Sequence, residues 1–158
     1  MSYRIGLDLG GTKVLGIVTD NEHKVVYRKK HRLSNRADIS AVMDQISNVY
    51  FELAGQLGNE KIASVGIALP SPVDNKLGHA KHLTAFQEKE LPVRAMLKER
   101  TGVDIKLGND VNMATLAEYK FGAGRGVLSL FTFYPGTGLG GGYIYEGKLV
   151  TGFNSTAA

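Results

Sequence analysis

The chain has 158 residues, 43% of them apolar and 22% charged, with a formal net charge of +4 and no cysteine. This is an ordinary soluble composition, long enough to bury one core. It excludes disulfides, thiolate metal sites and a thiol nucleophile, and the mild positive charge favours anionic ligands only slightly.

No segment reads as a targeting leader. Met1 to Ile5 runs straight into a strand that carries Arg4, and no apolar run has the length of a bilayer span. A cytoplasmic protein with no membrane partner is expected. Ile5, Leu7 and Leu9 alternate, so residues 3–9 form a half-buried strand. Gly10-Gly11 makes a turn, residues 14–19 return as a second strand, and residues 24–33 make a third. The basic run Arg28-Lys29-Lys30-His31-Arg32 lies on that third strand. It reads as a solvated edge protected against aggregation, so no nucleic-acid partner is expected.

The apolar stripe Ile39, Val42, Met43, Ile46, Val49, Tyr50 and Leu53 predicts a helix over residues 37–57, with Asp38 in its first turn and Gly58 at its end. Residues 62–69 read as a strand buried on both faces. Pro70-Ser71-Pro72 then opens a loop, with His79 and His82 in its polar part and no metal-ligand spacing around them. Pro92 and Gly102 bracket a short helix, and residues 103–107 make another strand. Residues 111–121 read as a helix, Gly122, Gly124 and Gly126 as a hinge, and residues 127–134 with 139–145 as a hairpin. A meander followed by strand–helix alternation indicates an α/β fold with a mixed sheet.

Two glycine-rich turns carry the chemistry. In Asp8-Leu9-Gly10-Gly11-Thr12-Lys13, backbone N–H groups at Gly10 and Gly11 can line an anion-binding concavity beside the Thr12 hydroxyl and the Lys13 ammonium. Asp8 is placed to hold a hydrated Mg²⁺. The second turn, Gly136-Thr137-Gly138-Leu139-Gly140-Gly141-Gly142, has five glycines, a density that serves close approach by a ligand or another backbone. Between the turns lies Asn109-Asp110, where a strand gives way to a helix. Asp110 suits both a helix cap and a base that takes a proton from a substrate hydroxyl. Asn109 suits either a sugar hydroxyl or the turn.

These segments, with Gly66-Ile67-Ala68-Leu69-Pro70-Ser71-Pro72-Val73-Asp74 and Gly108-Asn109-Asp110-Val111-Asn112, occur in an order that resembles the ROK family of bacterial sugar kinases and sugar-responsive repressors, within the actin-like ATPase superfamily. The resemblance implies an actin-like (ribonuclease H-like) lobe with a mixed five-stranded sheet over residues 1–121. A hinge and the first hairpin of a second, similar lobe follow over residues 122–158.

It also implies ATP- and Mg²⁺-dependent phosphorylation of a hexose or hexosamine hydroxyl. Asp110 would be the base, and Asn109, Pro70 and Ser71 would border the sugar. Asp8 would take the metal, and Gly10, Gly11, Thr12, Lys13, Gly136, Thr137, Gly138 and Gly140 the phosphates. Ser71 stands where the family usually has glycine, and the family's cysteine-rich zinc site has no counterpart here. The chain reads as the N-terminal portion of such a kinase, poorly active alone. A non-catalytic nucleotide- or sugar-binding form, association into a homo-oligomer and a sugar-sensing regulator stand as alternatives. The regulator is the less expected, since the first phosphate turn begins at residue 8 and leaves no room before it for a helix-turn-helix.

Overall fold

In the computed structural model, which describes residues 1–136, 139–153 and 155–157, the alternating residues of β1 (Ser2–Leu9) and β2 (Lys13–Thr19) form an antiparallel hairpin. Ile5, Leu7, Leu9, Val14 and Val18 are buried on one of its faces. The basic strand β3 (Val25–Arg32) pairs with β2 at the sheet edge and is largely exposed. Helix α1 (Ile39–Gly55) begins where Asp38 accepts hydrogen bonds from the Ser40 and Ala41 N–H groups. It buries Val42, Met43, Ile46, Val49 and Leu53, each a contribution of roughly 1.5–3 kcal/mol.

Beyond β4 (Lys61–Leu69) the chain departs from expectation. The stretch from Pro70 to Pro92 is not a loop. It holds β5 (Val73–Asp74), β6 (His79–Leu83), a 3₁₀ turn (Thr84–Phe86) and β7 (Glu88–Leu91), which make a small antiparallel sheet of their own. Their brevity and charge hide the strand period, so His79 and His82, expected in a loop, lie on β6. His79 Nδ1 stands 4.0 Å from a Glu90 carboxylate oxygen. Helix α2 (Val93–Thr101) runs between Pro92 and Gly102, whose φ of 72° ends it in the left-handed conformation. Strand β8 (Ile105–Asn109), helix α3 (Asp110–Phe121) and the strands β9 (Leu130–Pro135), β10 (Leu139–Tyr145) and β11 (Lys148–Leu149) complete the fold.

The main sheet has the order β3-β2-β1-β4-β8, with β1, β4 and β8 parallel and β1, β2 and β3 antiparallel. This is the mixed five-stranded sheet of the actin-like ATPase fold. Strands β9, β10 and β11 form a separate sheet. Helices α1 and α2 cover one face of the main sheet, and α3 lies on the other.

The two faces differ in kind. Towards α1 and α2 point Val65, Ile67 and Leu69 of β4, all buried. Towards α3 the sheet presents Gly6, Gly66, Ala68 and Gly108, in register across β1, β4 and β8. Strand β4 is therefore fully buried on one face only, a correction to the two-sided burial expected. Small residues let α3 come close. A Cβ on Gly108 would lie 2.7 Å from Met113 Sδ.

Gly16 has the same role on the opposite face. A Cβ there would lie 2.5 Å from Leu53 Cδ1 and 2.9 Å from Val49 Cγ1. Gly16→Ala is expected to destabilise the chain by about 1–3 kcal/mol through overpacking. Urea unfolding should show this as a lower midpoint at unchanged slope.

Candidate active site

The parallel strands β1, β4 and β8 all end at the same side of the sheet, the usual place for a ligand in an α/β fold. Asp8 pairs with Ala68, and Ala68 with Gly108, so the three share a row across the strands. Two residues beyond Gly108, Asp110 opens α3. Asp8 and Asp110 thereby line one groove of about 550 Å³, with Ile17, Ala68, Met113 and Tyr134 among its walls.

The start of α3 corrects one expectation. The helix cap is Asn109, whose Oδ1 accepts the Asn112 N–H at 2.9 Å, and not Asp110. Asn109 Nδ2 donates to the Ser71 carbonyl at 3.3 Å and to Asp110 Oδ1 at 3.1 Å. Asp110 Oδ1 also accepts the Val111 N–H at 2.8 Å. Both bonds fall on one oxygen. Among the described residues Oδ2 has no protein donor, which orients the carboxylate and leaves one oxygen available to the groove.

Next to this groove lies a second cavity of about 280 Å³, lined by Pro70, Ser71, Asn109, Gly140, His82 and Thr84 among others. The sugar-bordering residues expected from sequence are thus brought together. Ser71 is turned inward, however. It is 2% exposed, its Oγ donates to the Pro72 carbonyl at 2.8 Å, and it accepts the His82 N–H at 2.9 Å. Ser71 joins the loop to β6 and shapes the pocket. His82 and Thr84 were not anticipated, because no sequence period marked β6.

Of the first glycine turn, Gly10 does not offer its amide to a ligand. Its N–H donates to the Lys13 carbonyl at 2.8 Å, closing the hairpin. The amides of Gly11 and Thr12 have no protein acceptor among the described residues. Lys13 and Thr12 are exposed beside them. In the second turn Gly136 follows β9, while Thr137 and Gly138 lie outside the described residues. Gly140 and Gly142 meet protein. A Cβ on Gly140 would lie 2.7 Å from Val111 Cγ2, and one on Gly142 would fall on Thr115 Oγ1. These glycines let β10 lie directly on α3.

Asp8 keeps contact with solvent, yet the walls of the groove withdraw enough water to push its carboxyl above the ordinary value of 3.8. The Asp110 carboxylate adds to this and the Lys13 ammonium opposes it. Two carboxylates facing one wet groove suit Mg²⁺, which keeps several waters and takes one or two protein carboxylates. Among the described residues no three His, Cys, Asp or Glu side chains gather to form a metal site by themselves.

A raised acid pKa means that the folded chain holds this proton more tightly than the unfolded one. Ionised Asp8 therefore opposes folding above its folded pKa, and that penalty is absent below 3.8. Asp8→Asn should melt at a higher temperature than the parent near neutral pH. The advantage should shrink as pH falls through the raised pKa and be gone below about 3.8 in thermal melts across that range.

The sequence profile of the ROK family matches residues 4–158. The glucokinase of Streptomyces coelicolor is 30% identical over 158 residues, which are all of this chain and 48% of that protein. The glucokinase of Thermotoga maritima is 33% identical over 98% of this chain and 48% of its own length. A crystal structure of a ROK family glucokinase from Streptomyces griseus, in complex with glucose and AMPPNP, superposes with a TM-score of 0.82 at 30% identity. It covers 99% of this chain and 48% of that one. The chain spans about half the length of the curated relatives it matches. No helix among the described residues is long and apolar enough to cross a membrane. With Asp8, Ala68 and Asp110 of the ordered motifs on one groove, the chain belongs to the ROK family.

Proposed function

We propose that this chain carries the phosphoryl-transfer groove of an ATP-dependent sugar kinase acting on a hexose or hexosamine hydroxyl. The observation that carries the reading is the pair of carboxylates, Asp8 and Asp110, on one groove beside a second pocket bordered by Pro70, Ser71 and Asn109. The named relatives are consistent with it. They include glucokinases and an N-acetyl-D-glucosamine kinase from Vibrio cholerae that is 29% identical.

In this reading Asp110 accepts the proton of the attacking sugar hydroxyl through Oδ2. Its other oxygen, bonded to Asn109 and the Val111 N–H, keeps the carboxylate aimed. The Gly11 and Thr12 amides, the Thr12 hydroxyl and Lys13 bind the transferred phosphate, and Gly136 contributes to the nucleotide site from the second turn. Asp8 holds a hydrated Mg²⁺, which supplies neutralisation of phosphate charge when bound. Positioning and charge neutralisation account for the rate, with little covalent chemistry by the protein.

The groove is open to solvent, and Asp8 on its wall is exposed. Water is not excluded from it. These 158 residues are expected to bind Mg·ATP saturably in calorimetry and to phosphorylate hexoses slowly or undetectably in a coupled assay. No Mg·ATP binding would overturn the reading, and rapid turnover would show that the open groove is sufficient. Wherever turnover is measurable, Asp110→Asn should lower it by about 10²–10⁴-fold. Nucleotide affinity should change little. Unchanged turnover would remove Asp110 from the role of base.

A further inference from the structure

The turn between β1 and β2 is held from behind by a residue outside the reading above. Two of its carbonyl oxygens are occupied, while among the described residues the Gly11 and Thr12 amides have no protein acceptor. Arg36 Nη1 donates to the Gly11 carbonyl at 2.8 Å, and the Leu33 N–H donates to the Thr12 carbonyl at 2.9 Å. The Gly11 carbonyl and the Thr12 N–H belong to one planar trans peptide and point in opposite directions. Fixing that oxygen therefore fixes that N–H. A guanidinium on the oxygen also polarises the peptide and strengthens its N–H as a donor.

The local backbone is shaped to present Arg36. Asn35 adopts the left-handed conformation, with φ of 47°, and its carbonyl accepts the Asp38 N–H at 3.1 Å, tying the loop to the start of α1. From the other side, a Cβ on Gly11 would lie 3.2 Å from Ala85 Cβ, in the 3₁₀ turn of the small sheet. The turn is thus confined by the loop after β3 and by the small sheet, two elements distant from it in sequence.

We infer that Arg36 is a positioning residue for phosphate binding, clamping the Gly11 carbonyl so that the Thr12 N–H is preset towards the terminal phosphates of the nucleotide. This rests on the proposed role of the turn. The test compares the parent chain with Arg36→Met, which keeps the stem and removes the donor, and Arg36→Lys, which restores a donor of similar reach. Two quantities are read: ¹⁵N order parameters of the Gly11 and Thr12 amides without nucleotide, and affinities for Mg·ATP and for AMP.

Arg36→Met should lower both order parameters and weaken Mg·ATP binding by about three- to tenfold, the scale of one solvent-accessible hydrogen bond. Affinity for AMP and the melting temperature should stay near the parent's, and Arg36→Lys should recover most of the loss. Unchanged order parameters, or lowered ones with unchanged Mg·ATP affinity, would overturn the inference. An equal loss for AMP and ATP would also overturn it, because a general structural effect would then explain both. Lowered order parameters in a chain whose parent binds no Mg·ATP would overturn the phosphate role and leave the clamp standing as a structural one.

Discussion

Helix α3 is pressed between two sheets, and the rest of the site depends on that contact. On the main sheet it lies over Gly108, and on the second sheet it meets Gly140 and Gly142 through Val111 and Thr115. A hydrogen bond of 2.5 Å between Thr115 and Thr132 joins the helix to β9. A side chain at Gly142 would run into Thr115, whose Cβ would lie 2.7 Å from the added Cβ, and press on the helix that carries Asp110. Close packing is what sets the two carboxylates on a common groove.

That placement is unfavourable to the free chain in one respect. Asp8 is partly withdrawn from water beside another carboxylate, and its proton is held more tightly as a result. Sites that gather like charges tend to be sites where a cation or a proton is used. The opposing influence of Lys13 comes from the turn where the phosphates are proposed to bind. Charge of both signs is therefore concentrated around one short strand end, with uncharged small residues forming the floor beneath it.

Much of the fold was legible because strong periodicities and terminators do not depend on distant contacts. The stripe of α1, the alternation of β1 and the bracket of Pro92 and Gly102 around α2 each state their element locally. Strands β5, β6 and β7 did not, since they span 2, 5 and 4 residues and carry charge at many positions. Strand β4 misled for another reason. Gly66 and Ala68 count as apolar in a sequence pattern, yet they bury little surface and serve as a floor for α3. Likewise the glycines of the second turn read alike in sequence, while Gly140 and Gly142 are committed to packing against a helix.

The sequence by itself determined the elements of the main sheet and its helices, the mixed character of that sheet and the set of residues able to act on a phosphate and a hydroxyl. Those depend on side-chain chemistry and on spacings within a few residues. Only the tertiary structure decided which of those groups are available. It assigned the cap to Asn109, closed the hairpin with the Gly10 amide, turned Ser71 inward and placed Arg36 behind the turn. Each outcome rests on hydrogen-bond partners or packing neighbours that the folded sheet order brings together, often from far along the chain. Local spacing does not specify such partners.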